Sequence, residues 1–218
     1  MDTFPDYLSQ GYRRFRTTRL AAERERYRTL AEAGQKPRAM VIGCCDSRVA
    51  PEVVFDVGPG ELFVFRSVAN LVPPFAPSRG YQGTGAALEF AVQGLKVGAV
   101  VVLGHGRCGG IAAALESAAA TLSPDDFVGR WMDLAAPTVR ALESGGGAED
   151  RQTALERLSV AASLDNLRSY PFVAAAEREG TLAIHGAWFD IASGDLWTFD
   201  AGRADWSPLG ASDGGGTD

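Results

Sequence analysis

An α/β fold, built on a central, mostly parallel β-sheet flanked by helices and carrying an N-terminal helical arm, is predicted by three observations. Apolar runs of strand length alternate with helical segments from residue 38 onward, the order that builds a parallel sheet through crossover helices. Residues 97–104 are apolar almost throughout, as a central strand covered on both faces requires. Two of the apolar runs also end in chemically reactive side chains: Cys44-Cys45-Asp46-Ser47-Arg48-Val49 and His105-Gly106-Arg107-Cys108-Gly109-Gly110. A parallel sheet delivers both stretches to one edge, where open α/β sheets bind their ligands.

In chain order, residues 5–33 read as a helix. Seven arginines between Arg13 and Arg28 alternate with Glu23 and Glu25, over apolar anchors at Tyr12, Phe15, Leu20, Tyr27 and Leu30. The acidic residues at helical spacing favour a solvated face decorated with ion pairs over a basic binding face. Gly34 stops the helix. Residues 38–43 and 62–67 are the first two strands, with a short helical piece at 51–55 between them. Pro73, Pro74 and Pro77 mark an irregular loop. Residues 84–96 place Ala87, Leu88, Ala91, Val92 and Leu95 on one helical face. After the third strand, the Ala-rich run 111–120 is helical, as are 124–142 and 151–166, with a Gly-rich loop at 144–148. The last strands are 181–188 and 196–200, turning at Ser193-Gly194.

The length of 218 residues and the absence of internal repeats fit one domain, 1–206, with residues 1–34 as its helical arm. The Gly/Ser/Asp-rich residues 207–218 read as a disordered tail. The net charge of −6 argues against nucleic acid or an anionic membrane as partner. No apolar run is long enough to span a bilayer and residues 1–10 lack the layout of a secretory signal, so the cytoplasm is expected.

The two reactive stretches together offer two thiolates and an imidazole, the donors that zinc prefers, from Cys44, His105 and Cys108. Three protein ligands leave a fourth position open, which is the catalytic pattern. Side chains alternate along extended backbone, so Cys44 and Asp46 share a face and Cys45 points away; Cys45 is expected as a small buried residue, outside the metal site.

Cys-x-Asp-Ser-Arg followed by His-x-x-Cys-Gly-Gly resembles the β-class carbonic anhydrases. The likeness extends through Pro59-Gly60-Glu61-Leu62-Phe63-Val64, Ala69-Asn70-Leu71-Val72-Pro73-Pro74, Gly85-Ala86-Ala87-Leu88-Glu89 and Tyr170-Pro171-Phe172, over roughly residues 35–200. It implies reversible hydration of CO2 to bicarbonate and a proton, by attack of a zinc-bound hydroxide. It also implies that Asp46 orients the nucleophile, that Arg48 holds Asp46 ionised, and that the chain assembles as a homodimer or a dimer of dimers in which the N-terminal helix embraces a neighbour.

The substrate pocket implied by the resemblance comprises Gln35, Phe63, Val68, Phe90 and Gly109, with Phe90 standing where a tyrosine is usual. Where plant members can carry a shuttle histidine, this chain has Gly94, and His185 reads as structural within a strand. Members regulated by bicarbonate carry a tryptophan three residues before the first ligand. With Val41 at that position and Gln35 present, the resemblance implies the plant-like, unregulated subclass. Two other functions fit the same residues: hydrolysis of CS2 or COS on this scaffold, and a non-catalytic, zinc-stabilised interaction module. The Asp46–Arg48 pair and Gln35 speak against the module.

Overall fold

The computed structural model describes residues 4–77, 82–116, 124–145 and 150–210. Among the described residues six strands form one sheet: β1 (Ala39–Cys44), β2 (Leu62–Ser67), β3 (Ala99–His105), β4 (Ala183–Phe189), β5 (Leu196–Asp200) and β6 (Asp205–Pro208), in the order β2-β1-β3-β4-β5-β6. The first four are parallel, and β5 and β6 add antiparallel to β4. This is the α/β class read from the sequence.

The helices are α1 (Asp6–Thr17), α2 (Arg19–Ala33), α3 (Pro51–Val54), α4 (Gly83–Glu89), α5 (Gly109–Leu115), α6 (Phe127–Met132), α7 (Ala136–Ser144), α8 (Arg151–Arg168) and α9 (Pro171–Arg178). None of the described helices is long and apolar enough to cross a membrane.

Several boundaries differ from expectation. The arm is two helices, because Thr18 leaves helical geometry at φ −113°, ψ −87°. Thr17 and Thr18 turn their hydroxyls back onto the Arg13 and Arg14 carbonyls, the competition that makes Thr a poor interior residue. The expected helix 84–96 ends in a π turn over Phe90–Gly94. Helix α9 and strand β6 were not anticipated. Strand β6 includes Ser207 and Pro208 from the expected tail; residues 211–218 and most of the loop 144–148 lie outside the described residues.

Even-numbered residues of the central strands (Met40, Ile42, Val100, Val102) pack with Leu88, Val160, Leu164, Leu167 and Val173 from α4, α8 and α9. Burying each of these large aliphatic side chains contributes about 1.5–3 kcal/mol. The odd-numbered Val41 and Leu103 lie on the other face with Phe55, Leu62, Val101 and Phe189. Helix α8 sits unusually close to the sheet. A Cβ at Gly104 would stand 2.6 Å from Val160, and one at Gly186 would stand 3.0 Å from it, so only glycine admits the helix here. That closeness brings the N-terminal half of α8 under the carboxyl end of β3. Farther along the sheet, the Arg157 guanidinium lies 4.5 Å and 4.4 Å from the Trp188 and Trp197 rings and 5.7 Å from Trp206, fastening the β5–β6 hairpin to α8.

Candidate metal centre

Strand order reverses between β1 and β3: the chain passes from β1 outward to β2, then returns to the opposite side of β1 to form β3. A crevice opens outside the carboxyl ends of the strands at such a switch point. Cys44 is the last residue of β1 and His105 the last of β3. A turn through Gly106 and Arg107 then brings Cys108 to the start of α5.

The sulfurs of Cys44 and Cys108 and a ring nitrogen of His105 all lie within 4.8 Å of one another, and all three residues are buried. His105 Nδ1 donates to the Gly106 carbonyl at 2.9 Å, so in the neutral ring Nε2 carries the lone pair. Nε2 is buried and has no hydrogen-bond partner. A buried, unpartnered imidazole nitrogen on a ring clustered with two sulfurs fits a thiophilic cation.

The electrostatics agree. The neighbouring Cys108 thiol pulls Cys44 down to about 4, against burial and with help from His105 and the Asp46 amide. Cys44 in turn pushes Cys108 above the ordinary thiol range, as burial also does. The ionised Cys44 sulfur thus opposes ionisation of Cys108, and a cation bound by both removes that antagonism. Burial opposes protonation of His105, but the Cys44 sulfur and the Gly106 carbonyl outweigh it and raise its pKa.

Asp46 stands at the rim of this cluster, outside the three-residue group. Arg48 Nε donates to its Oδ1 at 2.9 Å and Nη2 to its Oδ2 at 2.6 Å, while the Arg48 backbone N–H also reaches Oδ1. Those bonds hold the Asp46 carboxyl well below the usual carboxylate range. Arg48 Nη2 also donates to the Arg107 carbonyl at 3.1 Å, tying the two motifs together. Cys45, expected to be buried, is exposed; the chain leaves the sheet at this residue, and its N–H bonds the Ser67 carbonyl.

Two residues overlooked in the sequence complete the surroundings. Arg66 on β2 donates to the carbonyls of Cys44 at 2.7 Å and Asp46 at 2.6 Å, fixing the backbone between them. Glu156 on α8 accepts the Cys108 N–H at 2.8 Å. Its pKa is raised by burial, with the Cys108 N–H, Gln152 and Trp188 opposing. An arginine ending an apolar strand could have signalled the first. The second is hidden within Leu155-Glu156-Arg157, which reads as a solvated helical turn.

The five expected pocket residues divide. Val68 follows β2 beside Gly110, whose Cβ would stand 3.2 Å from Val68 Cγ1, and Gly109 is open, with nothing within 4 Å of its Cβ position. Phe63 pairs in register with Met40, four residues before Cys44, and stacks with Phe90 at 5.7 Å between centroids. Gln35 is exposed in the loop before β1. Phe63, Phe90 and Gln35 therefore do not join the cluster within one chain. His185 on β4 pairs with Val101 of β3; it is exposed and lies four residues short of the level of His105.

A family model described as carbonic anhydrase matches residues 39–196. Beta carbonic anhydrase 3 of Arabidopsis thaliana is 35% identical over 200 residues, covering 88% of this chain and 76% of that protein. Among solved structures, the β-carbonic anhydrase CcaA superposes with a TM-score of 0.84 at 29% identity, covering 93% of this chain and 90% of that one. A structure from a study of two tetrameric β-carbonic anhydrases of the filamentous ascomycete Sordaria macrospora gives 0.73 at 27% identity, covering 94% and 95% respectively.

Proposed function

The chain belongs to the β-carbonic anhydrase family, and from that premise we propose that its Cys44–His105–Cys108 centre, completed by zinc, hydrates CO2 reversibly to bicarbonate and a proton. The observation that carries this reading is the buried triad itself, with His105 Nε2 unpartnered on a ring clustered with two sulfurs and a carboxylate at its rim.

When bound, zinc supplies the Lewis acidity that makes water a nucleophile towards CO2 near neutral pH. The chain's own residues supply the rest. Cys44, His105 and Cys108 would hold the ion. Asp46 accepts a hydrogen bond from the attacking water and orients its lone pair towards the substrate carbon. Arg48 keeps Asp46 ionised and aimed, and Arg66 holds the Cys44 and Asp46 carbonyls still. The proton released passes to solvent and buffer through the open rim.

The engagement of Asp46 by Arg48, and Val41 buried in β1, support the subclass without bicarbonate regulation. The Phe63–Phe90 pair, remote from the triad within one chain, and the tetrameric assembly named for the Sordaria enzymes support a substrate pocket shared across a twofold, in a dimer or a dimer of dimers. Metal analysis together with stopped-flow CO2 hydration tests the proposal. One zinc per chain and a rate lost on chelation are expected. A zinc-loaded protein without hydration activity would leave the interaction module as the better reading.

A further inference from the structure

Glu156 lies on α8 directly beneath the turn that carries His105 and Cys108, with 2% of its surface exposed. Its Oε1 accepts from the Cys108 N–H at 2.8 Å and from Gln152 Nε2 at 3.0 Å, and its Oε2 accepts from Trp188 Nε1 at 3.2 Å. The peptide N–H and the indole N–H can only donate. A carboxylate matches such a set because both of its oxygens only accept; an amide would turn a donor against a donor. No ion pair to Glu156 forms among the described residues. Burying a carboxylate without a counter-ion is costly, so its retention needs a reason beyond packing.

The turn above it supplies that reason. Arg107 adopts φ +57°, a left-handed conformation that non-glycine residues avoid and that persists only where its surroundings enforce it. Arg48 holds this turn from the rim through the Arg107 carbonyl. From beneath, Glu156 takes the Cys108 N–H and Gln152 Nε2 donates to the Cys108 carbonyl at 3.3 Å. We propose that Glu156 is a positioning residue of the metal centre: it fixes the strained turn so that the His105 nitrogen and the Cys108 sulfur face Cys44 before the ion arrives. This inference rests on the reading of Cys44, His105 and Cys108 as the zinc ligands.

The test compares the parent with Glu156→Gln for zinc affinity, by chelator competition, and for the thiolate-to-metal absorption of the cobalt-substituted protein. Glu156→Gln is expected to bind zinc about ten- to a hundredfold more weakly and to shift the cobalt spectrum. A merely structural role would lower the melting temperature and leave both readouts at the parental values. Trp188→Phe removes the donor to Oε2, keeps an aromatic ring beside Arg157, and should weaken zinc by about three- to tenfold. If Glu156→Gln does not fold, this second variant decides. Parental affinity and spectrum in the folded variants overturn the positioning role. A parent that binds no zinc would overturn the ligand assignment itself, a separate failure.

Discussion

Arg48 grips Asp46 with two parallel hydrogen bonds, 2.9 Å from Nε to Oδ1 and 2.6 Å from Nη2 to Oδ2. The carboxylate is mostly sheltered, while about half of the arginine side chain meets solvent. A bidentate pair of this kind removes rotational freedom from the carboxylate, which an isolated surface ion pair does not. Asp46 thereby stands at the edge of the triad, outside it. The pair also bridges the motifs, because the same Nη2 reaches the Arg107 carbonyl.

Asp46→Asn is therefore expected to lower kcat for CO2 hydration by about a hundredfold or more while zinc content stays at one per chain. The amide keeps the shape but turns an NH2 towards Arg48 and cannot accept at both positions. Stopped-flow assays alongside metal analysis check this; a rate close to the parental one would remove Asp46 from the mechanism.

The ligand assignment separates adjacent cysteines. Cys44 is buried within the triad and Cys45 is exposed, so Cys45→Ala should keep full zinc content and Cys44→Ala should lose it. Zinc binds the folded chain in preference to the unfolded one, so chelation should also lower the melting temperature of the parent and of Cys45→Ala. Cys44→Ala should melt at the same temperature with and without chelator. Retained zinc in Cys44→Ala would overturn the assignment.

What could be read from the sequence follows from how locally each feature is encoded. Cys44, His105 and Cys108 were legible because Cys44 and His105 each end an apolar strand, Cys108 follows one short turn later, and strand ends on a parallel sheet converge. Glu156 was not, since its burial comes from Gly104 and Gly186 admitting α8 onto the sheet, a contact between residues far apart in the chain. The break at Thr18 depends on hydroxyls choosing backbone partners, which periodicity does not register. Strand β6 is a short edge strand held through Trp206 and Arg157, so its stability lies in tertiary contacts and not in its own pattern.

Helix α8 offers a test that is read from stability alone. Asp150 caps it by accepting from the N–H groups of Gln152 and Thr153, both at 3.1 Å, and from the Thr153 hydroxyl at 2.7 Å. The Thr153 side chain, then its backbone N–H, lower the Asp150 pKa. A depressed carboxyl pKa stabilises the fold above the unfolded value near 4, and that stability is lost as pH falls through the folded value. Asp150→Ala should cost about 1 kcal/mol, or about 2–4 °C in melting temperature for a chain of this size. The gap between parent and variant should be constant near neutrality and shrink in acid. A gap that widened below about pH 4 would contradict the cap.

The chain carries exposed apolar surface that a second copy would cover. Phe90 stacks on Phe63 yet stays 53% exposed. Helices α1 and α2 bury none of their residues, while Phe4, Tyr7, Leu8 and Tyr12 lie exposed along the arm. The sheet face bearing Val41 and Leu103 is backed within the chain by Phe55 and a few half-buried neighbours, without the long helices that cover the opposite face. Apolar surface in these amounts marks an interface, and a twofold partner would cover the same patches on both chains at once. Sedimentation velocity should therefore show a dimer or larger species at assay concentrations. Phe90→Glu places a charge where an apolar contact is expected, so it should shift the population towards monomer and lower kcat/KM with zinc retained. With Val41 in place of an aromatic residue, bicarbonate should inhibit as a simple product, without sigmoidal dependence. Sigmoidal inhibition would overturn the subclass, and a monomer of full activity would overturn the shared pocket.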